Sequence, residues 1–394
     1  MTTPFGWLAQ RVTLGPRALR WSTTAALVVS ILVVLGGGVV RVTGSGLGCP
    51  TWPTCEGSSV APIPELGIHG LIEFGNRLVT VLLIFFVGWA IVAARLQGHR
   101  DRMLTRLAWS MFWLVVVNAV AGGITVLVGL NPWVVALHFV LAMGLLATAT
   151  LTWHRSRWRG TPGAPGSPLP RGLARALVIV TAALVVVGTI VSGAGPHSGD
   201  SRDVPRIGGA QSTEVWSRVV LLHAGLAIAT ILLTIALAVL LRRQTDAVAA
   251  RRTTRVFLIV LLGQGAIGGV QSLIGIPAAL VALHLLGAAL VWVGAIRVLL
   301  DVEPGLFALQ TLPESSAAAG SPCRLEARFS RNGACPSCSI EHNAGPSGMV
   351  RSGREKVAHV RRADRPTRAL EPRAVRVRLV RLRHRGRVRP SRRL

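Results

Sequence analysis

The chain has 394 residues, of which 51% are apolar and 15% charged; an average soluble protein carries roughly 25% charged residues. Together with a mean hydropathy of +0.53, this excludes a disordered chain and does not suit a water-soluble globule. The net charge of +27 would fit a nucleic-acid partner, but residues 305–394 alone carry +14. Much of the rest lies in short loops beside long apolar runs, where charge sets orientation in a membrane, so no nucleic-acid partner is expected.

A hydrocarbon core about 30 Å thick needs roughly 20 apolar residues of helix. Eight runs reach that length, at 22–41, 68–94, 104–130, 132–153, 173–195, 215–241, 255–276 and 277–300. The first is too long for a signal peptide, and no A-x-A-like site follows it. Very short turns at Asn131-Pro132 and Ile276-Pro277 join spans 3 to 4 and 7 to 8, with proline suited to a first helical turn. Arginines precede span 1 (Arg11, Arg17, Arg20) and fill the 2–3, 4–5 and 6–7 connections. The positive-inside rule therefore puts both termini in the cytoplasm and loops 42–67 and 196–214 outside, in a multi-pass protein of a bacterial plasma membrane.

The chain repeats itself. Gly122-Gly123, Gly129 and His138 recur as Gly268-Gly269, Gly275 and His284 at a spacing of 146, and Gly44-Ser45-Gly46 is echoed by Gly193-Ala194-Gly195 at 149. The reading is an all-α integral membrane protein of two pseudo-symmetric four-helix bundles in the same orientation. Its expected units are a cytoplasmic segment (1–21), a first bundle (22–153), a linker (154–172), a second bundle (173–304) and a basic, disordered tail (305–394).

Every even-numbered span carries a histidine near its start: His69, His138, His223 and His284. At 1.5 Å per residue all four would lie roughly 8–10 Å into the outer half of the bilayer. Ionisable groups inside spans are costly and usually functional. Imidazole pairs on facing helices are how membrane cytochromes hold haem iron, so each half is expected to supply one pair. Zinc fits less well, because no cysteine or carboxylate completes a tetrahedral set at that depth.

Glu73 lies four residues after His69 and three before Asn76, so the three share a helical stripe. A buried carboxylate there could move protons or simply pair with Arg77. Cys49 and Cys55 lie in the first outer loop, where an oxidising compartment permits a disulfide, as a structural staple or a redox-active pair.

Three segments, Arg41-Val-Thr-Gly-Ser-Gly-Leu-Gly-Cys49-Pro-Thr-Trp-Pro-Thr-Cys55, Ile72-Glu73-Phe-Gly-Asn76-Arg77 and Gly195-Pro-His-Ser-Gly-Asp200, resemble the haem A synthase family across residues 22 to about 300. The resemblance implies an oxidoreductase that turns the C8 methyl of haem O into a formyl group through successive hydroxylations. It implies a resident haem b on His223 and His284, substrate haem O in the first half with His138 as an iron ligand, and Glu73 as catalytic carboxylate. Haem O synthase and an electron-transfer protein would be partners, and a homo-oligomer is left open. One departure stands out. Many members carry Glu-x-x-His on span 2, and here the fourth residue is Asn76, which a spacing of 147 aligns with His223. The second ligand of the first half is then His69, from nearer the outer surface, or is absent.

The tail beyond Gly305 is arginine-dense and lies outside the resemblance, so a shifted reading frame is one explanation for it. Cys323, Cys335, Cys338 and His342 make only a weak zinc pattern. Competing readings of the whole are a non-enzymatic b-type cytochrome, a thiol–disulfide oxidoreductase using Cys49 and Cys55, and a haem transporter.

Overall fold

A computed structural model describes residues 7–307 apart from 9–10, 100, 158–166, 198, 201–203 and 245. Part of the 154–172 linker and all of the tail after 307, with its four-residue zinc pattern, lie outside the described residues. Among the described residues, eight helices long and apolar enough to cross a membrane follow in order. They are α1 (Pro16–Val42), α2 (Gly67–Arg95), α3 (Arg102–Leu127), α4 (Pro132–Arg155), α5 (Pro168–Ala194), α6 (Ser212–Arg242), α7 (Val248–Leu273) and α8 (Ala278–Val302). This is an all-α multi-span membrane protein. Large apolar side chains such as Phe85, Leu221, Ile259 and Leu273 remain exposed on the helices, which suits lipid as the surrounding solvent.

The helix ends follow local chemistry. Proline opens α1, α4 and α5, where no intrahelical N–H is needed. Asp101 caps α3 through the Leu104 amide at 3.0 Å, and Asn131 caps α4 through the Trp133 amide at 3.0 Å. Pro277 is the residue before α8 and not its first turn. Several helices exceed the expected spans. Helix α7 begins at Val248, seven residues before the expected 255, because Arg251, Arg252 and Arg255 are carried on its first turns. Long arginine stems can cover apolar surface while their heads stay wet, so a purely apolar window starts too late.

Two spans end three residues earlier than expected. Helix α3 stops at Leu127 because Gly129 (φ 61°) and Leu130 (φ 59°) turn left-handed, and α7 stops at Leu273 before Gly275 (φ 83°) and Ile276 (φ 58°). The second residue of each turn tolerates this backbone poorly. The same costly turn recurs in both halves and joins the same helix pair, α3–α4 and α7–α8.

Packing repeats too. Helices α1–α4 build one core, with Ala26, Val87, Met111 and Leu146 fully buried or nearly so. Helices α5–α8 build a second, around Leu177, Leu237, Phe257 and Val298. The first core also takes in Val185 of α5 and Ala289 of α8, and Trp292 Nε1 of α8 donates to the Met143 carbonyl of α4 at 2.9 Å. The loops after α1 and α5 meet as well: Gly46 N donates to Gly199 O at 2.8 Å, and Ser45 bridges Asp200.

Candidate functional site

Three histidines face glycines of neighbouring helices. A Cβ on Gly122 (α3) would fall 3.1 Å from Cε1 of His138 (α4), and one on Gly188 (α5) 3.1 Å from Cε1 of His223 (α6). A Cβ on Gly268 (α7) would fall 3.0 Å from Cε1 of His284 (α8). The fourth equivalent place holds Asn76. A Cβ on Gly36 (α1) would fall 2.3 Å from its Oδ1. Thus α1–α2, α3–α4, α5–α6 and α7–α8 each set one polar side chain into a glycine notch.

The polar atoms in these notches share a second property. His138 Nδ1, His223 Nδ1, His284 Nδ1 and Asn76 Oδ1 are all buried without a hydrogen-bond partner. Buried polar groups are nearly always satisfied, so four orphans at equivalent places call for an explanation. The Asn118 carbonyl stands beside His138 and the Leu184 carbonyl beside His223, each four residues before its notch glycine. These carbonyls lie near the rings without closing a hydrogen bond to the buried Nδ1 atoms.

In the second half the rings of His223 and His284 lie with centroids 6.3 Å apart and planes inclined at 61°. Two imidazoles gripping one metal from opposite sides, with bonds of about 2 Å, place their centroids about 6 Å apart. The pair therefore fits a haem iron between them. Among the described residues, His138 in the first half faces no such ring partner, and Asn76 takes the corresponding notch.

His69 does not share this layer. It lies in the first turn of α2, exposed, with Nδ1 2.9 Å from Ser45 Oγ. Its counterpart at the 147-residue spacing is Trp216, which packs beside Gly195 in the second half. Seven residues separate His69 from Asn76, about 10.5 Å along the axis. Pro64 belongs to a short 3-10 turn (Pro64–Leu66) before α2, and His69 lies nearer the start of its helix than the other three.

Glu73 turns to the loop that follows α1. Its Oε2 accepts from the Cys49 amide at 2.7 Å, and its Oε1 accepts from Arg77 Nη2 at 2.7 Å. Arg77 in turn donates to the carbonyls of Thr54 (3.0 Å) and Thr51 (3.2 Å). Cys49 and Cys55 form a disulfide and are both fully buried. The ion pair and the disulfide thus fix one short loop, and that loop lays the Trp52 ring on α3. A Cβ on Gly123 would fall 2.3 Å from Trp52 Cδ2, next to the notch of His138. The equivalent Gly269 has nothing within 4 Å. Among the described residues, the first half is covered at a place where the second is open.

Removing one partner of a buried ion pair is far worse than removing both, because the survivor is left uncompensated. Arg77→Ala is expected to cost about 3–5 kcal/mol and to speed alkylation of Cys49 and Cys55 under mild reductant. The double variant Glu73→Gln/Arg77→Met should be markedly less destabilised. Thermal unfolding in detergent and thiol labelling check both.

Sequence reasoning missed Trp52 and the notch role of the glycines. The glycine repeat was visible, but a glycine's neighbour on another helix is not.

The molecule is thus a membrane helical bundle with histidines notched into two repeated helix quartets. The chain belongs to the cytochrome oxidase assembly protein family (COX15-CtaA), whose model matches residues 20–69 and 64–296. It is 36% identical over 137 residues to the heme A synthase of Lysinibacillus sphaericus (strain C3-41), covering 34% of this chain and 44% of that protein. To the heme A synthase of Geobacillus kaustophilus (strain HTA426) it is 34% identical over 139 residues, covering 34% of this chain and 42% of that protein. To that of Staphylococcus epidermidis (strain ATCC 12228 / FDA PCI 1200) it is 32% identical over 127 residues, covering 32% and 41%. The matched stretches span less than half the length of these relatives.

Proposed function

We propose that the protein is a haem A synthase, an oxidoreductase that converts the C8 methyl of haem O to a formyl group. The observation that carries this reading is the His223–His284 pair at 6.3 Å, with both Nδ1 atoms orphaned. His223 and His284 would hold a resident haem b, which when bound supplies one-electron redox chemistry. The first half would take haem O as substrate, with His138 as its iron ligand. The methyl group would pass through an alcohol to a geminal diol, taking up two oxygen atoms and giving four electrons to an external oxidant, and loss of one water from the diol would leave the formyl.

The chain's own residues divide the remaining work. Asn76, in the fourth notch, offers an amide where an imidazole would stand, so the substrate side is left with a single imidazole from the layer. His69 would serve as a second ligand only for a substrate seated nearer the Ser45 end. Glu73 is the one buried carboxylate among the described residues, and it would accept a proton released at the substrate while the Cys49 amide and Arg77 hold it in place. The disulfide loop and Trp52 would exclude water from the first half. A disulfide suits an oxidising compartment, which supports an outward-facing loop 42–67 and cytoplasmic termini.

A second reading is a non-enzymatic b-type cytochrome. It is favoured by one observation: both Glu73 oxygens are already engaged in holding the loop. Glu73→Ala separates the two. The enzyme reading expects bound haem B to persist while haem O accumulates and haem A falls by roughly 100-fold or more, as for loss of a general base. Unchanged haem A in cells relying on this protein would favour the cytochrome.

A further inference from the structure

Arg41 occupies the last turn of α1, and its side chain crosses to the last turn of α5. Nη2 donates to the Ser192 carbonyl at 2.6 Å. Nε is buried with no hydrogen-bond partner, and among the described residues no carboxylate pairs with this guanidinium. Asp200 lies in the neighbouring loop, bridged to Ser45, and has an interaction of its own. One of the five donors of a guanidinium is therefore seen to be used. A helix C-terminus is a favourable place for a cation, which accounts for the Ser192 contact. It does not account for the rest of the fork. A desolvated arginine without an anion is costly, and the planar fork matches a carboxylate with two parallel hydrogen bonds.

The position of Ser192 says where such a carboxylate would come from. Ser192 follows Gly188, the glycine under His223, by four residues, about 6 Å along α5. The guanidinium head thus contacts α5 one helical turn beyond the notch of His223. It comes from α1, a helix of the other half.

We infer that Arg41 is a carboxylate anchor for the tetrapyrrole held between His223 and His284, supplied across the seam by the first half. This rests on the haem reading above and adds a binding residue to it. The second half would then not be a self-sufficient haem module, because its ligand would be fixed by iron on α6 and α8 and by charge on α1. Arg41 acts in binding and orientation; it makes no bond to the reacting atoms.

The test compares haem B with haem B dimethyl ester, in which both carboxylates are neutral. Each is titrated into haem-depleted full-length protein in detergent, and the low-spin absorption bands are read. Wild type should prefer the free acid by roughly tenfold or more, the scale of a charge-assisted hydrogen bond. Arg41→Gln should lose that preference while still forming low-spin bands with both ligands. Arg41→Lys, which keeps the charge but not the fork, should fall between them. The midpoint potential of bound haem B should also fall in Arg41→Gln, because a nearby positive charge is removed. Equal affinity of wild type for acid and ester overturns the inference even if the variants fail to fold, and so does an unchanged preference in a folded Arg41→Gln protein. If wild type forms low-spin bands with neither ligand, the haem reading itself fails and the anchor goes with it.

Discussion

Replacing His284 with alanine is expected to abolish the low-spin spectrum of the purified protein and to weaken haem retention by at least about a hundredfold. Loss of a mere supporting residue around a metal already costs roughly 10–100-fold, and His284 is proposed as a ligand itself. His223→Ala should do the same, since one imidazole of a facing pair cannot make a six-coordinate iron. The stronger form of this prediction leaves both histidines in place. Gly188→Leu puts a side chain where a Cβ alone would come within 3.1 Å of the His223 ring. The ring must swing out of its notch, and haem should be lost although every ligand is present. Gly225→Leu is the control: Gly225 is exposed on the same helix as His223 and has nothing within 4 Å. It should keep its haem, and leucine in place of glycine should strengthen the helix by a few tenths to about 1 kcal/mol. Absorption spectra and the haem-to-protein ratio read all four variants.

The second large effect is a gain. Asn76→His should create a second low-spin haem site in the first half. Asn76 stands over Gly36 as His223 stands over Gly188, so the notch for an imidazole is already cut. His138 supplies the other ring. The variant should carry more low-spin haem per chain than wild type, and the added fraction should vanish in Asn76→His/His138→Ala. An unchanged spectrum in a folded Asn76→His protein would mean that the two halves are not equivalent at this notch.

Much of this arrangement was legible in the chain. Membrane spans are long, and apolar runs such as 22–41 can be read without knowing any neighbour. Histidines at matched distances from Pro132 and Pro277 exposed the repeat, and the alignment of Asn76 with His223 was visible by counting. Helix starts were less legible. Arg251 and Arg255 interrupt an apolar window, although arginine stems sit comfortably on a helix at a membrane boundary. The left-handed Leu130 and Ile276 were hidden because those residue types disfavour that backbone, and tertiary packing holds them there. His69 departs from the expected layer because α2 starts only at Gly67, after the separate Pro64–Leu66 turn, which puts His69 in its first turn.

The partners of individual side chains were the least legible. Glu73 and Arg77 at i, i+4 announce an ion pair, but nothing local says that the pair would clasp the carbonyls of Thr51 and Thr54 and thereby fix the Trp52 ring. Gly36 and Gly188 read as ordinary small residues in apolar helices. Only the approach of α2 and α6 gives them a task. Arg41 likewise reads as one more cation at a helix end until its reach to α5 is seen.

The central claim is that His223 and His284 grip one haem iron between them. Its most direct measurement is electron paramagnetic resonance of the oxidised, purified full-length protein, with a pyridine haemochrome assay on the same sample. Haem B and a low-spin ferric signal of bis-imidazole type are expected, and the signal should disappear in both His223→Ala and His284→Ala. Colourless protein from haem-replete cells, or a low-spin signal that survives either substitution, would contradict the claim.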